Sequence, residues 1–222
     1  MNTNYDEYEH PSITVDLAIF TVSENALKAM LVQRAEVPYS GYWSLPGGFL
    51  KDGEWLEGAA LRVLKEKTGV DDVYFEQLYT FGEPDRDPRT RVITVAYFAL
   101  IPWKNLNQPE SKKIVDLTWH PVDQLPRLAF DHKQILDYAV RRLRAKVSYS
   151  NIVYGLMPKQ FRLSELQSMY ETIINDSLDK RNFRKQMLAT SLLQETGKKD
   201  LNGAHRPAKL YRFKKMEITY FN

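Results

Sequence analysis

The chain has 222 residues, 43% hydrophobic and 27% charged, close to globular averages, which excludes wholesale disorder and collagen-like repeats. Its net charge of +3 is too small to specify a partner. Cysteine is absent, which removes disulfides, zinc–thiolate sites, iron–sulfur clusters and thiol nucleophiles, and a reducing cytoplasm is the expected compartment. The first ten residues are polar and acidic, so no secretory leader is expected there. The longest mostly apolar run, Val92 to Trp103, falls short of the roughly 18 residues of a membrane helix, so no membrane partner is expected.

In chain order, Ser12 to Val22 is rich in Ile, Val, Phe and Thr and predicts a buried strand. Leu27 to Gln33 predicts a second. A turn-rich stretch follows, from Pro38 to Gly48. Leu56, Ala60, Val63, Leu64 and Lys67 recur at helical spacing, so Glu54 to Thr68 predicts a helix with Gly69 as its C′ residue. Val73 to Phe81 and Val92 to Ile101 read as strands on either side of a charged loop, Glu83 to Arg91. Lys113 to His120 predicts another strand, and Asp131 to Lys146 an amphipathic helix with a basic end. Strands and helices mixed in this order predict a layered domain of α/β or α+β type.

Between residues 147 and 160 the pattern changes, and Ser148 to Ile152 together with Met157 to Lys159 read as a linker. Beyond it Leu163, Leu166, Tyr170 and Ile173 keep helical spacing. A second helix is predicted from Lys180 to Thr190, with Asp179 as its N-cap. A strand at Leu192 to Thr196, a loop from Gly197 to Ala208 and a strand at Lys209 to Phe213 complete the order of a winged helix. Charge divides the chain in the same place. Residues 150–222 hold thirteen basic and seven acidic side chains, a net +6, and residues 1–149 a net −3. A basic terminal module on a slightly acidic domain suits nucleic-acid binding.

One motif fixes the family resemblance. Gly48, Glu54, Arg62, Leu64, Glu66, Gly69 and Val70 stand at the spacings of the Nudix box, and Trp43 to Phe49 is the stretch that commonly precedes it. The resemblance implies an α/β/α sandwich with a mixed sheet, an α+β fold overall once the winged helix-turn-helix is added. The expected division is 1–148 and 149–222. In Nudix hydrolases the box glutamates hold Mg²⁺, which neutralises a diphosphate and helps generate the attacking hydroxide. Positions 63, 66 and 67 share one helix face. This sequence has Val63, Glu66 and Lys67 where that family places three glutamates. Valine cannot ligate and an ammonium repels the metal, so neither a catalytic residue nor a metal site nor a cofactor is expected. Lys67 can instead meet a diphosphate directly.

A Nudix-like domain with an altered box, followed by a basic winged helix, resembles the Nudix-related transcriptional regulators of bacteria. The resemblance extends to Phe81–Leu100, Leu128–His132, Asp179–Lys185 and Arg206–Tyr211. It implies a cytoplasmic homodimeric repressor. Its partners would be operator double-stranded DNA and a small effector, either ADP-ribose, linked to NAD metabolism, or a sugar, linked to its catabolism. The competing reading is an active ADP-ribose pyrophosphatase with a basic C-terminal module.

On the second helix Phe183, Met187 and Leu188 are expected to pack inward. Lys180, Arg181, Asn182, Arg184 and Lys185 are expected to face DNA, where Arg can read guanine and Asn adenine. Lys198, Lys199, His205, Arg206 and Lys209 are the expected wing contacts to phosphate. Expected ligand contacts are Arg34, Arg62, Glu66 and Lys67, with Arg86, Arg89 and Arg91 of the charged loop. Tyr39, Tyr42 and Trp43 are candidates to stack on an adenine. The four histidines are scattered and suggest no metal site.

Overall fold

The computed structural model describes residues 7–70, 72–106, 117–200 and 207–221. Its first strand, β1 (Ser12–Ser23), turns back into β2 (Ala26–Gln33) through Glu24 and Asn25, both at positive φ (53° and 55°). A two-residue turn with both φ positive matches the twist of a tight hairpin, and the register Ser23↔Ala26 follows from it. Next come β3 (Trp43–Ser44), β4 (Gly47–Phe49), helix α1 (Leu56–Thr68), β5 (Tyr74–Phe81) and β6 (Val92–Leu100). The segment closes with β7 (Leu117–Pro121) and helix α2 (His132–Tyr149). These seven strands form one mixed sheet. Strand β1 runs parallel to β6 and antiparallel to β2 and β4, β5 lies on the far side of β6, and β3 and β7 pair with β2.

Alternation along β1 builds the two faces. Val15, Leu17 and Ile19 pack with Ala59, Ala60, Val63 and Leu64 of α1. Ala18 and Phe20 point the other way, toward Ile135, Leu136, Ala139 and Leu143 of α2. One helix on each face gives the expected α/β/α sandwich. Gly69 ends α1 in the left-handed region (φ 71°) and its N–H bonds Lys65 O at 2.8 Å, as its position in the sequence predicts.

The C-terminal part contains β8 (Phe161–Arg162), α3 (Leu163–Ile174), α4 (Lys180–Ala189), β9 (Leu193–Asp200) and β10 (Ala208–Phe213). The three strands form an antiparallel sheet in the order β8-β10-β9. Leu163, Leu166, Tyr170 and Ile173 of α3 are buried, and the Asp179 carboxylate caps α4 by accepting from Asn182 N at 2.8 Å. Helix, turn, helix and hairpin make a winged helix.

Three local expectations change. Residues 147–160 are not a surface linker. Helix α2 continues to Tyr149, and a 3₁₀ turn at Ile152–Leu156 is wholly buried. Ser150 and Asn151 carry the polar load there. Ser150 Oγ bonds Lys146 O at 2.7 Å, and Asn151 Nδ2 bonds Glu217 O at 3.0 Å, so polar residues that read as linker are satisfied inside. Strand β9 runs on to Asp200, which places Lys198 and Lys199 on a strand edge. Leu188 is 42% exposed, because Phe183 and Met187 already fill the space against α3. The strand expected over Lys113 to His120 is present from Leu117, and its expected start at Lys113 lies outside the described residues.

The winged helix shares one core with the α2 face of the sheet. Leu166, Ile173, Phe183 and Phe213 belong to the same apolar cluster as Phe20 and Leu143. Gly155 sits at this junction. A Cβ there would lie 2.9 Å from Tyr74 Cβ and 3.2 Å from Leu100 Cβ, and neither neighbour is the end of a flexible side chain. Gly155→Ala is expected to cost about 1–3 kcal/mol by overpacking, read as a lower urea midpoint at unchanged slope.

Candidate functional site

The sheet edge formed by the ends of β1, β2 and β4 opens into a cleft of about 270 Å³. Gly47 and Gly48 form one wall. A side chain at Gly47 would collide with Asp16, its Cβ falling 2.2 Å from Oδ1, so only glycine lets β4 lie this close to β1. Asp16 is the lone charge in an apolar strand and is 6% exposed. Its partner is Arg86, whose Nη2 lies 3.4 Å away. Arg86 also forks onto Asp131, at 2.9 Å from Nε and 2.8 Å from Nη2. One guanidinium therefore serves the buried Asp16 and the partly buried Asp131 at the base of the cleft.

His132 completes this base. Its Nδ1 accepts from Leu45 N at 2.9 Å, which requires that nitrogen to be unprotonated. Burial pushes the imidazole pKa down, against the opposing pull of Asp16 and Asp131, and keeps it neutral. A neutral His132 pins the backbone of the Leu45–Gly48 wall to the start of α2.

The cations of the cleft differ in what already holds them. Arg89 is forked onto Asp87 at 3.0 and 2.7 Å. Among the described residues Arg34 Nε bonds a carbonyl, Pro38 O at 3.0 Å, and burial followed by Arg89 lowers its pKa. The two guanidiniums flank Phe130, with carbons 4.7 and 5.5 Å from its ring centre. Lys67, half-buried, lines the same cleft and has no ion pair among the described residues. Glu36 stands at the rim. Arg34, Arg89 and Lys67 around one concave wall favour a ligand with closely spaced negative charges.

Of the expected ligand residues, Arg34, Lys67, Arg86 and Arg89 line the cleft, and Arg62, Glu66 and Arg91 do not. Arg62 is forked onto Glu54 at 2.7 and 2.9 Å and reaches Phe49 O, bracing the loop before α1. That guanidinium holds the Glu54 carboxyl down to about 2. Glu66 lies outward on α1, 54% exposed, 3.7 Å from Arg62. Arg91 pairs with Glu9 and donates to Gly82 O. Tyr39, Tyr42 and Trp43 do not line the cleft either. Tyr39 packs edge-on against Phe130, Tyr42 lies under Arg127, and Trp43 meets His120. Sequence reasoning missed Phe130, Asp16 and His132 as cleft residues. The lone aspartate in an apolar strand was the available signal for Asp16. Phe130 had none, since its place depends on a positive φ of 51° before α2.

The donor set does not suit a magnesium ion of the Nudix type. Val63 is buried beneath Gly48, 3.5 Å from where its Cβ would be, Lys67 is cationic, and Glu54 and Glu66 both answer to Arg62. No group of three metal-ligating side chains occurs among the described residues.

The second surface is α4. Lys180, Arg181, Asn182, Arg184 and Lys185 are all exposed, and none of the four cations has an ion pair among the described residues. Lys198 and Lys199 are exposed on β9. Lys209 pairs with Glu195 at 2.9 Å. His205 and Arg206 lie outside the described residues. No described helix is long and apolar enough to cross a membrane.

Arg86→Ala should strand Asp16 and Asp131 without their counter-charge and cost about 3–5 kcal/mol. Equilibrium unfolding of the variant measures this.

Comparison with known proteins agrees with this architecture. The NUDIX domain family matches residues 13–142, and the NrtR DNA-binding winged helix domain family matches residues 153–213. The ADPR responsive transcriptional repressor NtrR of Acinetobacter baylyi is 41% identical over 93% of this chain and 84% of its own. The crystal structure of Shewanella oneidensis NrtR complexed with a 27mer DNA superposes with a TM-score of 0.83 at 38% identity, covering 91% of this chain and 93% of that one. The NUDIX domain of the same Shewanella protein, crystallised with ADP ribose, is 39% identical, with a TM-score of 0.56 over 64% of this chain and 94% of its own. With both domain families matched in order along one chain, the protein belongs to the NUDIX family, in the branch that carries the NrtR-type DNA-binding winged helix.

Proposed function

We propose that the chain is a DNA-binding transcriptional repressor whose Nudix domain takes up ADP-ribose as an effector and does not hydrolyse it. Residues 1–148 form the sensing half and residues 149–222 the DNA-reading half. The observation that carries this reading is Lys67 in the cleft, an ammonium where hydrolysis calls for a carboxylate, in the same molecule as the unpaired basic face of α4. Arg34, Arg89 and Lys67 supply the charge that the two phosphates of ADP-ribose need. A neutral sugar would offer no counter-charge to Arg34 and Lys67, neither of which has an ion pair among the described residues, whereas Arg89 is already held by Asp87. The Acinetobacter repressor's response to ADPR and the Shewanella complexes with DNA and ADP ribose support the same assignment. Operators with two half-sites are best matched by a homodimer.

Without a suitable magnesium site the diphosphate is held but no hydroxide is generated beside it. ADP-ribose should raise the melting temperature by mass action, with EDTA present as well as absent. Hydrolysis should stay far below about 1 s⁻¹ with Mg²⁺ or Mn²⁺. Turnover at that rate would establish an ADP-ribose pyrophosphatase instead. Arg34→Gln should weaken the thermal shift while leaving the unliganded melting temperature nearly unchanged.

The basic side chains of α4 and of the hairpin should respond differently to substitution. Arg181→Ala or Arg184→Ala should cost about 1–3 kcal/mol of operator binding and blur preference at particular base pairs. Lys198→Ala or Lys199→Ala should weaken all sequences alike and flatten the salt dependence by about one unit per lost phosphate contact. Anisotropy titrations on the upstream region of the protein's own gene, at two salt concentrations, measure both. Absence of any sequence preference in the unmodified protein would overturn the repressor reading.

A further inference from the structure

We propose that α2 couples the cleft to the winged helix, with Arg144 as the positioning residue that passes a shift of α2 on to the helix-turn-helix. The proposal rests on the reading above, in which the cleft holds an effector and α4 meets DNA.

The N-terminal end of α2 is built into the cleft. Asp131, its N-cap residue, receives both bonds of the Arg86 fork, and His132, its first residue, holds Leu45 N at 2.9 Å. Arg86, Leu45 and His132 all line the cleft. A ligand that draws Arg86 toward a phosphate or presses on the Leu45 wall therefore acts on the first turn of α2. Polar contacts of this kind have narrow angular optima, so they transmit displacement instead of absorbing it.

The helix between the two ends is suited to carry that displacement. It spans 18 residues without an internal glycine or proline, about 27 Å at 1.5 Å per residue. Nothing in it marks a kink. Its inner side is locked by Ile135, Leu136, Ala139 and Leu143, all fully buried.

The far end meets the DNA-reading half through directional bonds. Arg144 Nε donates to Ile173 O at 2.9 Å. That carbonyl belongs to the last turn of α3, where carbonyls lack intrahelical partners and the helix dipole is negative. From there the turn into α4 is stiff. Glu171 accepts from Gln167 Nε2 and from Leu178 N, both at 2.9 Å, so α3 and α4 move together. The chain after the wing is tied to the same end of α2, with Phe221 N on Tyr149 O at 2.8 Å and Asn151 N on Thr219 O at 3.0 Å. The remaining contacts of α3 with the sheet belong to the shared apolar cluster, which moves with it and carries no directional bond.

The test uses the full-length protein. Operator affinity is measured with and without saturating ADP-ribose, and ADP-ribose affinity is measured alone, for the unmodified chain, Arg144→Gln and Arg144→Lys. The unmodified chain should show a ratio of operator affinities of about fivefold or more, in either direction. Arg144→Gln should keep each separate affinity within about threefold yet bring that ratio to about twofold or less, and Arg144→Lys should recover part of it. If Arg144→Gln does not fold, Arg144→Lys is read by the same ratio, which should then lie below that of the unmodified chain. A ratio unchanged in the variants overturns the proposal, including the case where both operator affinities fall by the same factor. A ratio of one in the unmodified chain overturns the effector reading and this proposal together.

Discussion

The Asp16–Arg86–Asp131 triad is the constraint on which the rest of the molecule depends. One buried carboxylate, one partly buried carboxylate and one buried guanidinium meet where a central strand, the charged loop and the second large helix come together. Taking any one charge away leaves the others unsolvated, so the three elements are held to a single arrangement. The cleft is what that arrangement leaves open. Gly47 is tolerated beside Asp16 for want of a side chain, and His132 stays neutral because its surroundings are dry and its Nδ1 is committed to Leu45. The site is thus preorganised by groups that need not touch the ligand.

The cleft's chemistry follows from substitution at a position that helix geometry had already aimed. Residue 67 faces the cleft because of its place on α1, whatever side chain occupies it. With glutamate the position suits a metal, and with lysine it adds a cation to the cleft. Val63 closes the alternative by joining the apolar cluster under β4, so the same helix face that could bind an ion becomes part of the core. The surviving box carboxylates keep a mechanical task. Glu54, locked to Arg62, braces the loop that shapes the cleft wall.

The sensing and DNA-reading halves share one hydrophobic core. Phe20 and Leu143 from the first half and Ile173 and Phe213 from the second lie in one cluster, and the segment between the halves is buried. A flexible tether would let each half act alone. A fused core makes displacement in one half costly unless the other follows, because close-packed interiors transmit strain.

By itself the sequence determined most of the strands and helices, the box spacing, the winged-helix order and the basic character of α4, and through the family resemblance it implied the sandwich. The local signals are the Ile, Val, Phe and Thr content of β1, helical spacing along α1 and α3, Gly69 at a C′ position, and Asp179 at an N-cap. Only the tertiary structure decided which charges are free. Arg62, Arg86, Arg89 and Arg91 look equivalent in sequence, yet one braces Glu54, one pairs with both Asp16 and Asp131, one is forked onto Asp87 and one pairs with Glu9. Phe130 enters the cleft through a single positive φ, and residues 147–160 read as linker because Ser150 and Asn151 are polar. Local composition could not show that Asn151 is satisfied by the distant Glu217 carbonyl and Thr219 amide, while Ser150 closes onto Lys146 O one turn back. Pairing and burial depend on partners far apart in the chain, Asp16 with Arg86 and Asn151 with Thr219, and that information exists only once the backbone has closed.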